Sequence, residues 1–399
     1  MPQAFEGIRI IDFTQVLAGP FAVMQLALLG AEVIKIEQPR GGDQTRGLMN
    51  TGEDDGMSPS FLGMNPNKKS LTLNLKSPKA VEIVNQLVES ADVIVENFKA
   101  GTMERLGLGY DVMKAIKADL IFCSISGYGQ NGPKAGEAAY DGAIQAASGM
   151  MSQNGHPETG PTRTAYMPVD MSTALNAAFT ISAALFRRAK TGLGQRIDVA
   201  MMDTAIVMQA AQYSNYLNQG NLLGLLGNAS PTHQPTANVF VTSDSHIQVI
   251  ALRQPQVEKL FEAIGAMDQL KLDKFATPDS RVAHTLEVAA LVSTALKLKS
   301  TQHWMKTLAA SGIPVAEIRE LPEVVNDPQL EHRGVFESFP SPVDSSRKIT
   351  IVKAGYIQDE DGPEIRSLPP LLGQDTSEIL ASLGYSDGQI KKLKQDEVI

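Results

Sequence analysis

Cysteine is almost absent from this chain, and its scarcity limits the kinds of site to be expected. Cys123 is the single cysteine among 399 residues, so no disulfide can form within the chain. The six histidines are scattered without the short spacings of metal ligands, which argues against a zinc site. We therefore expect neither a metal centre nor a disulfide framework. Cys123 lies in an apolar stretch and is expected to be a buried core residue.

Long apolar runs and an excess of positive charge are missing as well. No segment reaches about 18 uninterrupted apolar residues, and the start, "MPQAFEGIRI", lacks the cationic and apolar regions of a signal peptide. We expect no membrane-spanning helix and no secretion. The formal net charge of -9 argues against nucleic acid as the main partner. The expectation is a soluble, cytoplasmic protein.

Strand-like and helix-like segments alternate through the first half of the chain. Continuous apolar strands separated by amphipathic helices are typical of a parallel sheet that is covered on both faces. The predicted strands are "IRIIDF", "AEVIKIEQP", "KSLTLNL", "ADVIVENF", "LIFCSIS" and one in "TGLGQRIDVAM". The predicted helices begin near Pro20 and at Pro78, lie within 102–117, run from Asp170 to about Lys190, and cover 201–217.

The second half has a different pattern. A stretch rich in Gly, Asn, Pro and Thr, 218–235, is typical of a linker. Beyond it, "ANVFVTSDSHIQVIAL" predicts two strands around a tight turn, followed by helices near 255–266, 280–297 and 301–311. A strand pair within 334–352 and two short helices end the chain. Earlier in the chain, the loop 41–66 is long enough to be functional or mobile rather than a simple connection.

The segment "GYGQNG", residues 127–132, matches the glycine pattern of dinucleotide-binding folds. Such a site requires a helix that opens at the glycines, and here Pro133 and further residues without helical periodicity follow. We therefore expect no nicotinamide or flavin. A loop that contacts substrate at the carboxyl end of a strand is the better interpretation. The chain also lacks the phosphate-binding and serine-hydrolase motifs G-x-x-x-x-G-K-[ST] and G-x-S-x-G.

Two cations follow predicted strands. Lys76, in "LNLKS", lies at the end of one predicted strand, and Arg105 follows Asn97 and Phe98 in "ENFKAGTMERLG", after another. These positions fit an anion site at the carboxyl edge of the sheet, and equally a solvated surface.

Asp170, in "YMPVDMSTAL", has two interpretations. Asp before a helix is a common cap. The flanking residues are small or apolar, however, so the first turn of the helix is expected to be packed. A carboxylate there loses water, is held ionised by the helix dipole, and is more reactive than one in solvent.

The residues now described resemble those of the family III CoA-transferases, the CaiB/BaiF family, which includes formyl-CoA transferase and carnitine CoA-transferase. The similarity extends nearly from end to end. The motifs that carry it are, in order, "LAGPFAVMQLALLGAEVIKIE", "NKKSLTLNLKS", "ADVIVENFKAGTMERLGL", "SISGYGQNGP", "YDGAIQAASG", "TGLGQRIDVAMMDT" and "PLLGQDTSEIL".

The resemblance implies a Rossmann-like α/β large domain built from both chain ends, a smaller α+β domain, and a homodimer of interlocked rings. The implied division is a large-domain part at 1–218, a linker at 219–236, the small domain at 237–320, and a linker with return to the large domain at 321–399.

The resemblance also implies the site and its substrate, coenzyme A in the form of an acyl-CoA. Asp170 is the implied catalytic residue, which passes through a mixed anhydride and an aspartyl-CoA thioester while CoA moves to a carboxylic acid. The implied CoA contacts are Val16, Ala18, Leu73, Lys76, Asn97, Phe98, Arg105 and Tyr140. Backbone near Leu17, Gly127 and Gly129 is the expected site for the oxyanion.

Several differences from relatives narrow the function. Leu17 stands where formyl-CoA transferase has glutamine, Ala138 replaces a lysine, and 219–236 has no glycine-rich lid. These differences argue against formyl-CoA and oxalate as substrates. The related α-methylacyl-CoA racemases use a His-Asp pair, and Tyr140 occupies the place of that histidine. A racemase, an intramolecular CoA transfer on a dicarboxylic acid, and a non-catalytic acyl-CoA-binding protein remain the alternatives.

Overall fold

A computed structural model of the chain describes residues 2–48 and 56–399. The chain separates into two compact units. The first comprises Met1–Ser148, Thr164–Tyr213 and Pro328–Ile399, and the second comprises Gly149–Arg163 and Ser214–Asp327. The first unit thus includes both chain ends, and the second takes in a short segment from the first half of the sequence. The domain boundaries drawn from the resemblance stay a prediction.

The strands of the described residues are numbered in chain order. They are β1 Arg9–Asp12, β2 Glu32–Glu37, β3 Lys68–Thr72, β4 Val93–Glu96, β5 Ile121–Ser126, β6 Gly155–His156, β7 Gly160–Pro161, β8 Gln195–Ala200, β9 Ala237–Val241, β10 His246–Ile250, β11 Val315–Glu317, β12 Phe336–Pro340 and β13 Lys348–Val352.

The α-helices are numbered in the same way. They are α1 Ala18–Leu28, α2 Pro59–Met64, α3 Pro78–Val88, α4 Thr102–Arg105, α5 Tyr110–Ile116, α6 Asp141–Ala147, α7 Pro168–Thr191, α8 Met201–Met208, α9 Ala210–Gln219, α10 Gln254–Ala263, α11 Met267–Leu270, α12 Asp273–Ala276, α13 Pro278–Ala283, α14 Thr285–Leu296, α15 Thr301–Ala310, α16 Leu321–Val324, α17 Pro328–Arg333, α18 Thr376–Ser382 and α19 Asp387–Gln395.

A six-stranded parallel sheet organises the first unit. Its order is β3-β2-β1-β4-β5-β8, and every neighbouring pair is parallel. The central strand β1 aligns Ile11 with Ile34 of β2 on one side and with Ile94 of β4 on the other. The chain therefore reverses its direction of progress across the sheet at β1. Open α/β sheets bind ligands at such a switch point, beyond the carboxyl ends of the strands.

Two apolar cores cover the two faces of this sheet, as predicted from the continuous apolar strands. One core joins the sheet to α3 through Ile83 and Val84, and also contains Ile379 and Leu380 of α18. The C-terminal segment therefore packs on the same core as the first half of the chain. The other core joins the sheet to α1 and α7, and it contains the buried Cys123. The prediction that this cysteine is a core residue is confirmed.

Helix α7 is long and apolar enough, by length and composition, to cross a membrane. The absence of an uninterrupted apolar run had predicted no such helix. Its inner face is made of small and branched residues, including Ala174, Ala177 and Ile181, which are fully buried against strands of the sheet and α1. This packing is typical of the core helix of an α/β fold.

The second unit is built on the antiparallel sheet β11-β10-β9. The two strands predicted around the Ser-Asp-Ser turn are β9 and β10. Helices α10, α14 and α15 contribute Phe261, Val292 and Trp304 to one core beneath the sheet. The indole N–H of Trp304 donates to the Leu296 carbonyl at 2.8 Å, so its single polar atom is satisfied.

Three helix predictions were too long. The helix expected within 102–117 is two helices, α4 and α5, because Gly107 takes the left-handed φ of 73° between them. The helix expected at 201–217 is divided at Gln209, whose side chain donates to the Ser148 carbonyl at 2.9 Å. The helix expected at 280–297 is divided at His284.

The predicted loop 41–66 contains short helices at both ends. A 3-10 turn covers Gln44–Arg46, and α2 follows at Pro59–Met64. Residues 49–55 lie outside the described residues.

Candidate active site

A cavity of about 410 Å³ lies at the switch point of the parallel sheet, within the first unit. The loops that follow β1, β4 and β5 form much of its wall, together with the segment before α6 and the first turn of α7. The lining residues are Gln15, Val16, Leu17, Ala18, Gln44, Asn97, Phe98, Lys99, Ala100, Ile125, Ser126, Gly127, Tyr128, Gly129, Gly136, Glu137, Ala138, Ala139, Tyr140, Asp170 and Met201.

Asp170 contributes a half-buried carboxyl group to this cavity. Helix α7 begins at Pro168, with Met167 as its N-cap, so Asp170 lies in the first turn and not before the helix. Its carboxylate makes no hydrogen bond to the described residues. The interpretation of Asp170 as a helix cap is therefore wrong, and so is the predicted helix start, because the proline sets the first turn two residues earlier.

Asp141, which the sequence analysis did not single out, provides the cap for α7. Its buried carboxylate accepts the backbone N–H groups of Val169 at 2.8 Å and of Asp170 at 3.0 Å. The side-chain amide of Gln145 donates to the other carboxylate oxygen at 2.5 Å. Asp141 thus takes up amides at the positive end of α7 that a side chain within the helix would otherwise attract.

Burial raises the pKa of the Asp170 carboxyl from its ordinary value of 3.8 to about 7, and the negative charge of Asp141 adds to that rise. The prediction that the helix dipole holds this carboxylate ionised is wrong, because burial raises its pKa and Asp141 occupies the helix terminus with a second negative charge. A carboxylate that water and neighbours stabilise so little is a stronger nucleophile than one in solvent.

Close packing explains why glycine stands at two positions, Gly127 in the cavity wall and Gly19 next to it in sequence at the start of α1. A Cβ atom on Gly127 would lie 2.2 Å from the Cβ of Ala139 in the segment before α6. A Cβ atom on Gly19 would lie 2.3 Å from the Cβ of Thr14, where α1 starts against the loop after β1. Both distances are far below van der Waals contact, so neither position can carry a side chain unless its neighbour moves.

The structure brings together nine of the twelve predicted site residues. Those that line the cavity are Asp170, Val16, Leu17, Ala18, Asn97, Phe98, Gly127, Gly129 and Tyr140. The pattern "GYGQNG" opens no helix, since α6 begins only at Asp141. Its first two glycines, Gly127 and Gly129, instead belong to the wall of the cavity, as expected for a loop at the end of a strand.

Three predicted residues lie outside this lining. Leu73 is buried in the core beside α3. Lys76 and Arg105 are exposed, and the Arg105 guanidinium donates to the Thr102 hydroxyl at 2.8 Å. Their contact with CoA stays a prediction.

Polar residues that the sequence analysis missed also line the cavity. They include Gln15, Gln44, Lys99 and Glu137. Lys99 is the one lysine or arginine in the described part of the lining. Its place directly after Asn97 and Phe98 was the available signal. Within 2–48 and 56–399, no group of three or more His, Cys, Asp or Glu residues is arranged to hold a metal ion.

Comparison with known proteins shows which enzyme family this chain resembles. The family described as CoA-transferase family III matches residues 5–376. The chain is 35% identical over 399 residues to succinyl-CoA:glutarate CoA-transferase from Mus musculus, and the match covers 99% of this chain and 90% of that protein. It is 31% identical over 417 residues to formyl-CoA:oxalate CoA-transferase from Rhodopseudomonas palustris (strain TIE-1), and the match covers 98% and 96%.

A solved structure agrees with these relatives. The crystal structure of a CaiB/BaiF family protein from Brucella suis superimposes with a TM-score of 0.85 at 32% identity, over 96% of this chain and 100% of that chain. The family resemblance and the α/β fold predicted from the sequence motifs are confirmed. The chain belongs to the family III CoA-transferases.

Proposed function

We propose that this protein moves CoA reversibly from an acyl-CoA thioester to a carboxylic acid, with Asp170 as the covalent nucleophile. The observation that carries the proposal is the Asp170 carboxyl in the cavity wall, half-buried, without a hydrogen bond to the described residues, and with a pKa raised to about 7. A carboxylate that is held this poorly gains more from bonding to an acyl carbon than a hydrated one does. Its position at the end of the sheet is where this fold binds substrates.

The first half of the reaction loads Asp170. A carboxylate oxygen attacks the thioester carbonyl of the donor, the C–S bond breaks, and CoA thiolate leaves a mixed anhydride behind. The thiolate then attacks the Asp170 carbonyl carbon. The donor acid leaves as its carboxylate, and Asp170 is now a CoA thioester.

The second half runs the same steps in reverse. The acceptor carboxylate attacks the aspartyl thioester, which forms a new anhydride and releases CoA thiolate. The thiolate attacks the acceptor's acyl carbon, which gives the new acyl-CoA and restores the Asp170 carboxylate. Anhydride and thioester are both energy-rich acyl compounds, so the acyl group can pass in both directions between them, whereas an ester on a serine would be far more stable.

Each attack places negative charge on a carbonyl oxygen, and backbone N–H groups are suited to bind it. Helix α1 begins in the cavity wall at Ala18, and no side chain of the described residues caps it. Its first N–H groups therefore support the oxyanion role expected for the Leu17 region. Gly129 is a weaker candidate, because its N–H already donates to the Ser126 hydroxyl at 3.0 Å.

The racemase alternative finds less support in this site. Proton transfer at the α-carbon by a His-Asp pair needs a histidine, and none is among the described residues that line the cavity. Tyr140 lines it instead, with 67% of its surface exposed.

Trapping the acyl-enzyme tests the nucleophile. Wild-type protein incubated with an acyl-CoA and hydroxylamine should yield a hydroxamate on Asp170, found by peptide mass spectrometry. Asp170→Asn should abolish both the adduct and CoA transfer while CoA still binds by calorimetry. Transfer that persists in Asp170→Asn would refute the covalent role. Deuterium exchange at the α-carbon without any acceptor acid would favour a racemase.

We propose a dicarboxylic acid as one of the two acids. Lys99, the one cation in the described lining, can pair with a carboxylate that does not react. The relative from Mus musculus is named for succinyl-CoA and glutarate, both of which carry such a group. Transfer between the two carboxylates of a single acid would use the same residues. Lys99→Met should raise KM for glutarate at least tenfold and leave KM for butyrate unchanged, and an equal effect on both acids would refute the pairing.

Homodimer assembly as interlocked rings is the arrangement that we propose from the family resemblance. An apolar stripe on α7 supports a second copy, since Leu175, Phe179 and Phe186 are 53%, 72% and 64% exposed along one side of the helix. Sedimentation velocity at micromolar concentration tests it, and a monomer would refute it.

The exposed Lys76 and Arg105 are proposed to bind CoA phosphates. Replacing both should weaken CoA binding, more so at low salt.

A further inference from the structure

In the loop between β1 and α1, side chains of other segments and of the last residue of β1 form hydrogen bonds to the backbone. At its start, the Thr14 N–H donates to a carboxylate oxygen of Asp12 at 2.9 Å, and the Thr14 hydroxyl donates to the same oxygen at 2.5 Å. The Thr14 carbonyl accepts from the Lys35 ammonium at 2.6 Å. Both polar backbone groups of this residue are therefore fixed by buried charged side chains.

The next two residues are bound in the same way. The Asn97 side chain accepts from the Gln15 N–H at 2.8 Å and donates to the Gln15 carbonyl at 2.7 Å. The Val16 N–H donates to a carboxylate oxygen of Asp43 at 3.2 Å. Five consecutive polar backbone groups, from the N–H of residue 14 to the N–H of residue 16, thus bond to side chains of β1, β2 and the loops that follow β2 and β4.

Two ion pairs make these side chains rigid. Lys35 pairs with Asp43 at 2.9 Å, and Lys68 pairs with Asp12 at 2.9 Å, all four with fully buried side chains. Burial alone would raise the pKa of Asp12, but Lys68 and Lys35 outweigh it and hold that pKa below its usual range. Charges buried in this way cannot change partners without large penalties, so their positions are fixed.

The loop so held is strained at one residue. Val16 has a φ of 69°, in the left-handed region that a β-branched side chain rarely adopts. Such a conformation persists only where the surroundings impose it, and it commonly occurs at functional sites. Val16 also lines the cavity with Leu17 and Ala18, which follow it into α1.

We infer that Asn97 and the buried pair Lys35–Asp43 are positioning residues that impose the strained conformation at Val16. The purpose of the strain is to direct the backbone N–H groups of Leu17 and Ala18 toward the reacting carbonyl oxygen. Neither N–H has a partner in the described part of the chain, unlike those of the three residues before them. The inference rests on the proposed CoA transfer, and it gives Asn97 a role different from the CoA contact that the family resemblance implies. Both polar atoms of the Asn97 side chain are already bound to Gln15.

Asn97→Ala is the direct test, because Asn97 is only half-buried and its loss leaves the ion pairs intact. We expect kcat for CoA transfer to fall about tenfold to a hundredfold, which is less than the roughly hundredfold to thousandfold loss when an oxyanion-binding donor is removed, because here the donors are only misdirected. KM for the acyl-CoA should change less than about threefold, since the loop acts on the transition state.

Asn67→Ala is the matched control. Asn67 also binds the backbone on both sides, since it accepts the N–H of Arg366 at 2.7 Å and donates to the Glu364 carbonyl at 2.7 Å. It lies in the same unit and does not line the cavity. Asn67 also accepts the Ser367 N–H at 2.9 Å and has a left-handed φ of 62°, so its replacement should lower stability at least as much as Asn97→Ala does. It should nevertheless leave kcat near that of the wild type.

Relief of strain offers a rescue that a merely structural role would not produce. Glycine adopts the positive φ of position 16 without a steric penalty, so it does not need the Asn97 hydrogen bonds to hold that conformation. The double variant Val16→Gly/Asn97→Ala should therefore regain at least threefold in kcat over Asn97→Ala alone. A double variant that is slower than Asn97→Ala would overturn the inference.

Hydrogen exchange separates this inference from the proposed function, because it requires no turnover. Amides of residues 14–16, which are the hydrogen-bonded ones in this loop, should exchange at least tenfold faster in Asn97→Ala than in the wild type or in Asn67→Ala. Unchanged exchange would refute the positioning role of Asn97 even if CoA transfer by Asp170 is established. An increase in KM and in the Kd for CoA at constant kcat would show instead that Asn97 contacts CoA. Wild-type protein that forms no acyl-enzyme would refute the proposed function, and with it the catalytic role of the hydrogen bonds that hold this loop.

Discussion

Replacing Asp170 with asparagine should make the protein more stable at neutral and alkaline pH. Burial and the charge of Asp141 raise the pKa of this carboxyl from 3.8 to about 7, so the folded state binds the proton more tightly than the unfolded chain. Above pH 7 the folded protein therefore carries an ionised group that it holds less favourably than water does. Asparagine has the same shape without the charge, and it removes that penalty.

The size of the effect follows from the pKa values. A difference of about three in pKa, at about 1.4 kcal/mol for each, gives an upper value of about 4 kcal/mol. The Asp170 side chain is half-buried and the solvent it meets screens the charge, so we expect about 2 kcal/mol at pH 8. As pH falls from 7 toward 4 the folded state becomes protonated while the unfolded chain is still ionised. The difference between variant and wild type should therefore shrink steadily and approach zero near pH 4.

Urea unfolding at pH 5, 6, 7 and 8, at one fixed protein concentration, measures this difference directly. Asp111→Asn provides the control, because Asp111 is an exposed acid in the first turn of α5. Its replacement removes one negative charge near a helix start and should change the free energy of unfolding by less than about 0.5 kcal/mol. If Asp170→Asn is no more stable than wild type at pH 8, or if its advantage is the same at pH 5, the carboxylate is not poorly hydrated and the reasoning fails.

Further predictions concern activity and assembly. The rate constant kcat/KM should fall about tenfold for each pH unit below about 7, because a protonated Asp170 is not a nucleophile. Asp141→Asn should move the midpoint of that pH profile to lower pH, since it removes the neighbouring negative charge. Gly127→Ala should lower kcat/KM at least tenfold in steady-state assays, because the new methyl group would lie 2.2 Å from the Cβ of Ala139. Phe179→Glu, on the exposed side of α7, should increase the fraction of monomer in sedimentation velocity experiments.

Much of the fold could be predicted because its signals are local. Continuous apolar strands such as β5 and helix starts such as Ser77-Pro78 can be recognised within a few residues, and both are where they were expected. The errors at 102–117 and 201–217 have a common cause. Apolar periodicity continues through a short break in the helix, and the residue that makes the break acts through its backbone angle or a distant partner.

The site could be predicted in part, for the same reason. Asp170 stands out because of its neighbours in sequence, whereas Asp141 acts through contacts that span 28 and 29 positions. The motif that contains Asn97 could be recognised from the sequence, but the hydrogen bonds of its side chain to the Gln15 backbone could not be predicted. Its bonds to Gln15 cross 82 positions and depend on β1 and β4 being neighbours in the sheet.

Burial is the main cause of the raised pKa of Asp170, and Asp141 explains why the start of the helix does not counteract that rise. An acidic side chain at this position ordinarily gains from the free N–H groups and the positive end of the helix dipole, which lower its pKa. In α7 those N–H groups donate to Asp141, so the helix terminus is neutralised before Asp170 can use it. The cap therefore acts twice, since it withholds hydrogen bonds from the nucleophile and repels its charge. Replacing Asp141 with alanine should free these amides for the Asp170 carboxylate, which would then be more stable, less basic and slower to attack a thioester.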